Sequence, residues 1–299
     1  MITYDPRRWT SHLFDIRGSL VVEILGRVAL CVTWSVVVVV NHQFQAVPWL
    51  DWSVPETGHA LVGGAFALLL VFRTNSSYDR FWEGRKLWGG VVNETRNLVR
   101  QTSILCAADP GLVRQAALWT IAFPYACMHR LRGRKALGEI GNDLPAAEVA
   151  AVLAADHVPL AVAKRLTALL NRAREQGLIS DFQQMQIDQN VQLLVDYIGA
   201  CERIHSTPMP YAYAVHLRRA LFMFCITLPL ALVNRFAWGA VPATFLIAYI
   251  LFGIEEIGVE IEDPFGTDEN DLPLERICEN IERTLRDAVD ATVDAPSGV

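Results

Sequence analysis

An acidic turn near the C-terminus contains the residues best suited to bind a metal ion. The segment DPFGTDEND brings Asp263, Asp268, Glu269 and Asp271 close together, beside a proline and a glycine. Calcium prefers several hard oxygen ligands supplied by a tight loop, so this segment is compatible with a calcium site. The pattern also suits a solvated turn before a helix, because a helix N-terminus favours carboxylates. The residues alone leave both interpretations open.

No catalytic motif accompanies this turn. Glycine-rich nucleotide loops, the HExxH zinc motif and the GxSxG nucleophile motif are missing from the sequence. The seven histidines are scattered and the six cysteines include no CxxC pair, so neither a zinc site nor a disulfide framework is indicated. A net charge of −6 argues against a nucleic-acid-binding protein, which needs a basic face. We expect neither an enzyme active site nor a nucleic-acid partner.

Four segments nearly free of charge dominate the chain and must position any site in it. They cover residues 28–50, 57–72, 220–234 and 236–254. A membrane-crossing helix needs about 20 apolar residues, which the first and fourth segments reach. The second and third are shorter, and they become credible as spans because each adjoins a longer one. We predict an integral membrane protein with four transmembrane helices, against the alternative of a soluble helical protein with an unusually apolar core.

The basic residues around these segments are distributed unevenly. The loop from 41 to 56 contains no lysine or arginine, whereas the flanking stretches contain Arg7, Arg8, Arg17, Arg73, Arg80, Arg85, Lys86 and Arg96. The positive-inside rule therefore predicts that both termini and the long middle region are cytoplasmic, with the protein in the inner cell membrane. Trp49 and Trp52 fit an aromatic belt at the outer interface.

The more polar remainder predicts further helices. Residues from about 76 to 210 show apolar positions at helical spacing and no strand alternation. Gly177 predicts a helix end, and Ser180 predicts the N-cap of the next helix. The fold class is therefore all-α. The predicted divisions are an N-terminal cytosolic segment (1–23), a first transmembrane pair (24–73), a cytosolic helical domain (74–218), a second transmembrane pair (219–256) and an acidic loop with a C-terminal helix (257–299).

Three motifs resemble bacterial members of the bestrophin family. They are FRTNSSYDRFWEGRKLWG at 72–89, CERIHSTPMPYAY at 201–213 and EIEDPFGTDENDLPL at 260–274. The resemblance extends from about residue 9 to residue 285. Bestrophins are all-helical pentameric ion channels, and the animal members are calcium-activated chloride channels. The resemblance implies a homopentamer in a lipid bilayer that conducts small monovalent ions. Chloride is favoured by the family, while the acidic cytosolic mouth would also suit cations.

The resemblance further implies where the ion pathway is narrowest. In the family the second span lines the pore, here the predicted helix 57–73, and the neck positions match Gly64, Leu68 and Phe72. These recur every four residues along one helix face, and rings of Leu and Phe can close a narrow pore by excluding water. Gly64 is smaller than the residue usual there. The same stripe could be an ordinary packing surface, with Gly63 and Gly64 allowing close helix approach.

Other matched positions lie beyond the neck. Asn75, Ser76 and Ser77 follow it and could hydrate a passing ion, or they could end the helix. Phe182 matches a cytosolic aperture of the family, although an aromatic so close to an N-cap could equally be a core residue.

The acidic turn matches the calcium clasp of animal bestrophins, which also uses backbone carbonyls from the N-terminal segment. Calcium is therefore the cofactor that the resemblance suggests, although Thr267 and Asn270 stand where the family has acidic residues. The candidate ligands are Asp268, Asp271, Glu260 and the carbonyl of Asp263.

Two other functional classes remain as alternatives to a channel. One is a membrane-embedded transporter or enzyme, which normally carries an ionisable or helix-breaking residue inside a span. The third and fourth spans contain Pro229 and Pro242, but no carboxylate lies centrally in any span. The other class is a membrane scaffold that does not conduct. The channel is the leading hypothesis.

Overall fold

The computed structural model describes residues 20–45, 47 and 54–293, and every regular element within these ranges is helical. This confirms the all-α prediction. The N-terminal residues 1–19, the segment with Trp49 and Trp52, and the last six residues lie outside the described ranges. The α-helices are α1 (Val21–Phe44), α2 (Glu56–Leu105), α3 (Pro110–Leu131), α4 (Ala146–Ala154), α5 (Val158–Glu175), α6 (Asp181–Ser206), α7 (Tyr211–Phe236), α8 (Ala240–Glu260) and α9 (Leu274–Val293).

The chain divides into two compact units. The first contains residues up to Phe81 together with 208–264 and 268–270, and the second contains 82–207, 265–267 and the residues from Asp271 onward. Helix α2 therefore contributes its first part to one unit and its remainder to the other.

The first unit contains α1, α7, α8 and the first part of α2. Three stretches are long and apolar enough to cross a membrane, namely Val21–Phe44, Glu56–Leu105 and Tyr211–Glu260. The last of these comprises α7 and α8, which pack against each other and are separated by a short 3-10 turn where Ala237 has a left-handed φ of 45°. The four predicted apolar segments thus fall mainly in α1, α2, α7 and α8. Gln45 and Val47 lie after the end of α1, residues 237–239 form the 3-10 turn, and the structure does not describe residues 46 and 48–50.

Helix boundaries differ from the predicted ones at two places. Helix α1 already begins at Val21 and includes Arg27, whose guanidinium pairs with Glu255 and Glu256 on α8. Helix α2 continues to Leu105, so the prediction that the polar residues after Phe72 could end it is wrong. Polar side chains are tolerated inside a helix when they point to solvent or bond to the preceding turn, as Thr74 Oγ1 does to the carbonyl of Leu70.

A buried carboxylate ties three helices of the first unit together. Glu255 on α8 is 2% exposed and accepts hydrogen bonds from Arg218 Nε on α7 at 2.9 Å and from Arg27 Nη1 on α1 at 3.4 Å. A buried charge is strongly destabilising unless it is paired, so the bonds to Glu255 favour the packing of α1, α7 and α8 in which both arginines reach it. The first part of α2 packs against this frame, and its side chains join the same core.

The second unit contains the remaining helices, with α3 packed against α5 and α9. The predicted N-cap at Ser180 and the predicted helix end near Gly177 are both confirmed. The Ser180 side chain caps α6 by accepting a hydrogen bond from the Gln183 N–H. The side-chain oxygen of Gln183 accepts one from the Ser180 N–H, which completes a capping box. Helix α5 ends at Glu175 and is followed by Gly177 with φ of +70°, a conformation that favours glycine.

Candidate functional site

The first part of α2 has two contrasting faces. One face is buried, and its members recur at helical spacing: His59, Phe66, Leu70, Arg73 and Ser77. The opposite face is exposed and contains Gly64, Leu68, Phe72 and Asn75. Leu68 is 56% exposed and Phe72 is 58% exposed, although both side chains are apolar. The three predicted neck residues therefore share one face of the helix, and the described part of the chain leaves that face uncovered.

The buried face packs against Phe224 of α7. The Phe224 ring stacks on His59 with ring centroids 4.2 Å apart and lies 5.4 Å from the ring of Phe66. A Cβ atom added to Gly63 would lie 3.1 Å from Phe224 Cζ, so glycine at this position allows the close approach of the two helices. A Cβ atom on Gly64 would meet nothing within 4 Å. The packing interpretation therefore holds for Gly63 and is wrong for Gly64 within this chain.

The polar residues after the neck do not all face the same way. Asn75 and Ser76 are exposed, whereas Ser77 is fully buried. Ser77 lies nine residues after Leu68, which places it on the opposite side of the helix. The prediction that Ser77 contacts a passing ion is therefore wrong for this structure. Asn75 and Ser76 stay predictions.

The sequence did not single out Arg73 and Glu262 as a pair. Arg73 is 2% exposed, and its Nη2 donates to Glu262 Oε2 at 3.0 Å. The sequence pattern identifies Arg73 only as one of the basic residues that flank a predicted span. Two signals were available, a charge directly after the neck phenylalanine and a carboxylate directly before the DPFG turn, but nothing in the sequence connects them.

Phe182 is 67% exposed at the second position of α6. Met185, almost one turn further along the helix, is 58% exposed. The alternative that Phe182 is a core aromatic of its own unit is therefore wrong. An exposed apolar pair at a helix start is compatible with an aperture, which stays a prediction.

The acidic turn does not gather its carboxylates around one point. Within residues 20–45, 47 and 54–293, no three His, Cys, Asp or Glu side chains form a group that could hold a metal ion. Asp271 is 3% exposed and folds back onto its own turn, since a Cβ on Gly266 would lie 2.6 Å from its Oδ2. Glu260 accepts from Asn270 Nδ2 at 3.2 Å, and Asp268 is exposed. These residues do not fit calcium as a resident cofactor.

Arg132 donates hydrogen bonds to backbone carbonyl oxygens of this turn. In the second unit Arg132 Nε donates to the carbonyls of Phe265 at 3.2 Å and Gly266 at 3.1 Å, and its Nη2 donates to Gly266 at 2.8 Å. The same guanidinium pairs with Glu275 at the start of α9, and this hydrogen bond lowers the pKa of the Glu275 carboxyl below its ordinary value. A fixed positive charge thus holds backbone oxygens of the kind that a calcium ion would use. The N-terminal carbonyls of the family clasp lie outside the described residues.

The family model, the related sequences and the solved structures that match this chain agree with one another. A family model described as bacterial and fungal bestrophin protein matches residues 1–287. A voltage-dependent anion channel-forming protein of Nostoc is 36% identical over 290 residues, which are 96% of this chain and 93% of that protein. The protein of that name from Escherichia coli K12 is 31% identical over 288 residues, or 95% and 93% of the two chains. A crystal structure of a bacterial bestrophin homologue from Klebsiella pneumoniae has 32% identity and a TM-score of 0.85, covering 89% of this chain and 98% of that one.

Proposed function

Because this chain belongs to the bacterial and fungal bestrophin family, we propose that it is an oligomeric channel for the passive passage of small ions across a membrane. One observation carries the proposal. Leu68 and Phe72 are more than half exposed on a helix whose other face is buried in its own unit. Such an apolar face requires cover from lipid or from other subunits. When identical subunits surround an axis, each can turn this face of α2 toward the axis, and we infer five subunits from the family.

The proposed neck is formed by two apolar rings. Leu68 and Phe72 are four residues apart, so their rings are separated by about 6 Å along the helix. Rings of this kind restrict ions by dewetting rather than by charge. Gly64, one turn further out, carries no side chain and leaves the pathway wider there. Phe182 would form a second apolar aperture in the cytosolic part.

The proposed topology has α1, α2, α7 and α8 crossing the inner membrane, with both termini and the second unit in the cytoplasm. The charge distribution supports it, including its one exception. Arg235 lies at the predicted outer end of α7, where basic residues are disfavoured. Its Nη1 is 2.9 Å from Glu56 Oε1 at the start of α2, so this charge is compensated locally.

Anions are the proposed permeant ions. The names of the relatives point this way, and so does the part of α2 in the second unit. Lys86, Asn93 and Arg100 are exposed there and recur every seven residues, which places them on one face of the helix. Within the described part of the chain, Lys86 and Arg100 form no ion pair, nor does the neighbouring Arg96. Unpaired cations along an aqueous wall attract anions and repel cations.

Conduction by the purified protein in planar lipid bilayers tests the proposal. We expect single-channel current steps and, in asymmetric potassium chloride, a reversal potential displaced toward that of chloride. A displacement toward potassium would support cation conduction through the same neck. The absence of steps under both polarities and in several salts would contradict a channel and favour a membrane scaffold.

A further inference from the structure

Arg73 directly follows the neck residue Phe72 but points to the other side of α2. Successive residues of a helix are rotated by about 100°, so Phe72 faces outward while Arg73 is 2% exposed. The two side chains belong to one rigid turn of helix. Anything that fixes the direction of Arg73 therefore fixes the direction of Phe72.

Glu262 fixes Arg73 from the segment that follows α8. Its Oε2 accepts from Arg73 Nη2 at 3.0 Å, and its Oε1 accepts from the backbone N–H of Met209, just before α7, at 2.7 Å. Its backbone carbonyl accepts from Arg80 Nε at 2.9 Å, two turns further along α2. Helix α2 is thus held at two points by one residue.

The stem of Arg73 is confined as well. A Cβ atom on Gly258 of α8 would lie 3.2 Å from Arg73 Cγ, so glycine at this position lets the Arg73 side chain pass close to α8. A rotation of α2 that turned Phe72 toward the core would pull the guanidinium away from its carboxylate. It would leave the buried guanidinium of Arg73 without its half-buried carboxylate partner, which is strongly disfavoured.

We propose that Arg73 and Glu262 are positioning residues that set the rotation of α2 and so aim Phe72 into the ion pathway. The pair acts through Phe72 and touches no ion itself. The inference rests on the proposed channel function, because only a channel gives the direction of Phe72 a functional consequence.

A double-mutant cycle on single-channel conductance tests this role. E262Q removes the charge that pairs with Arg73 but keeps an oxygen for the Met209 N–H, so it isolates the ion pair. We expect E262Q and R73Q to change conductance severalfold, and to cause no further change when introduced into F72A. R235Q is the control, because it breaks the ion pair with Glu56 at the start of α2, which is more exposed and distant from Phe72, and it should leave conductance unchanged.

Labelling provides a readout that does not depend on current. All six native cysteines are buried, so an F72C variant should dominate the reaction with a water-soluble thiol reagent. We expect E262Q to change the labelling rate of F72C severalfold, and if R73Q fails to assemble, E262Q completes both experiments. Equal conductance changes with and without F72A, or an unaltered labelling rate, would overturn the positioning role. A wild-type protein that does not conduct would instead contradict the proposed function, while the labelling rate would still decide the inference.

Discussion

Gly64 offers a place where a side chain can be added to the exposed face of α2. Its Cβ position has no neighbour within 4 Å, and it lies one turn before Leu68. In the proposed assembly, G64L adds a third apolar ring about 6 Å from the ring of Leu68. We expect the protein to fold and assemble normally and its conductance to fall.

The expected size of the effect follows from the cost of wetting leucine. Exposing one leucine side chain to water costs about 1.5–3 kcal/mol. If only one side chain of the new ring contributes that cost to the barrier, ion passage slows by about tenfold to a hundredfold, because each 1.4 kcal/mol is roughly a factor of ten. Single-channel recording of G64L beside the wild type measures the change.

Two glycines of the same helix provide controls. Gly58 also has no neighbour within 4 Å of its Cβ position but lies off the neck stripe, so G58L should conduct as the wild type does. G63A should lower the midpoint of thermal unfolding, because its methyl group would press on the Phe224 ring and overpacking of this kind typically costs about 1–3 kcal/mol. A G64L protein that assembles and conducts normally would refute the placement of this face at the pathway.

Two further expectations concern charge. K86Q and R100Q should each displace the reversal potential in asymmetric potassium chloride away from that of chloride. R114Q, which removes an exposed arginine on α3, should not displace it. Equal shifts in all three variants would indicate a general surface-charge effect. The lowered pKa of Glu275 means that its bond to Arg132 stabilises the fold fully above the unfolded-state pKa, about 4.3, and is lost as the pH falls through the lower folded-state pKa. The midpoint of thermal unfolding should therefore decrease with acidification less steeply in R132Q than in the wild type, and parallel pH curves would contradict this.

The helical class and several helix ends could be predicted because they depend on local signals. Charge-free segments and apolar positions at helical spacing predict the helices whatever the rest of the chain does. The Ser180 capping box and the left-handed Gly177 act within a few residues, and the structure shows both. The neck stripe needed only the four-residue spacing of Gly64, Leu68 and Phe72, which places them on one face of any helix.

What the sequence could not provide were the features set by distant contacts. The polar residues Asn75, Ser76 and Ser77 resemble a helix end, yet α2 continues through them to Leu105. The side that Ser77 faces depends on how α2 is rotated against its neighbours. That rotation involves Arg73 and Glu262, which are 189 residues apart. The exposure of Phe182 likewise depends on which face of α6 the rest of its unit covers.

Block of an L68C channel by a charged, water-soluble thiol reagent tests most directly whether Leu68 faces an aqueous pathway. All six native cysteines are buried, so the wild-type current should be insensitive to the reagent. We predict that the L68C current falls progressively while the reagent is present. An L68C current that stays constant, with reaction only toward a lipid-soluble maleimide, would show that this face of α2 is turned to acyl chains and would contradict the proposed pore.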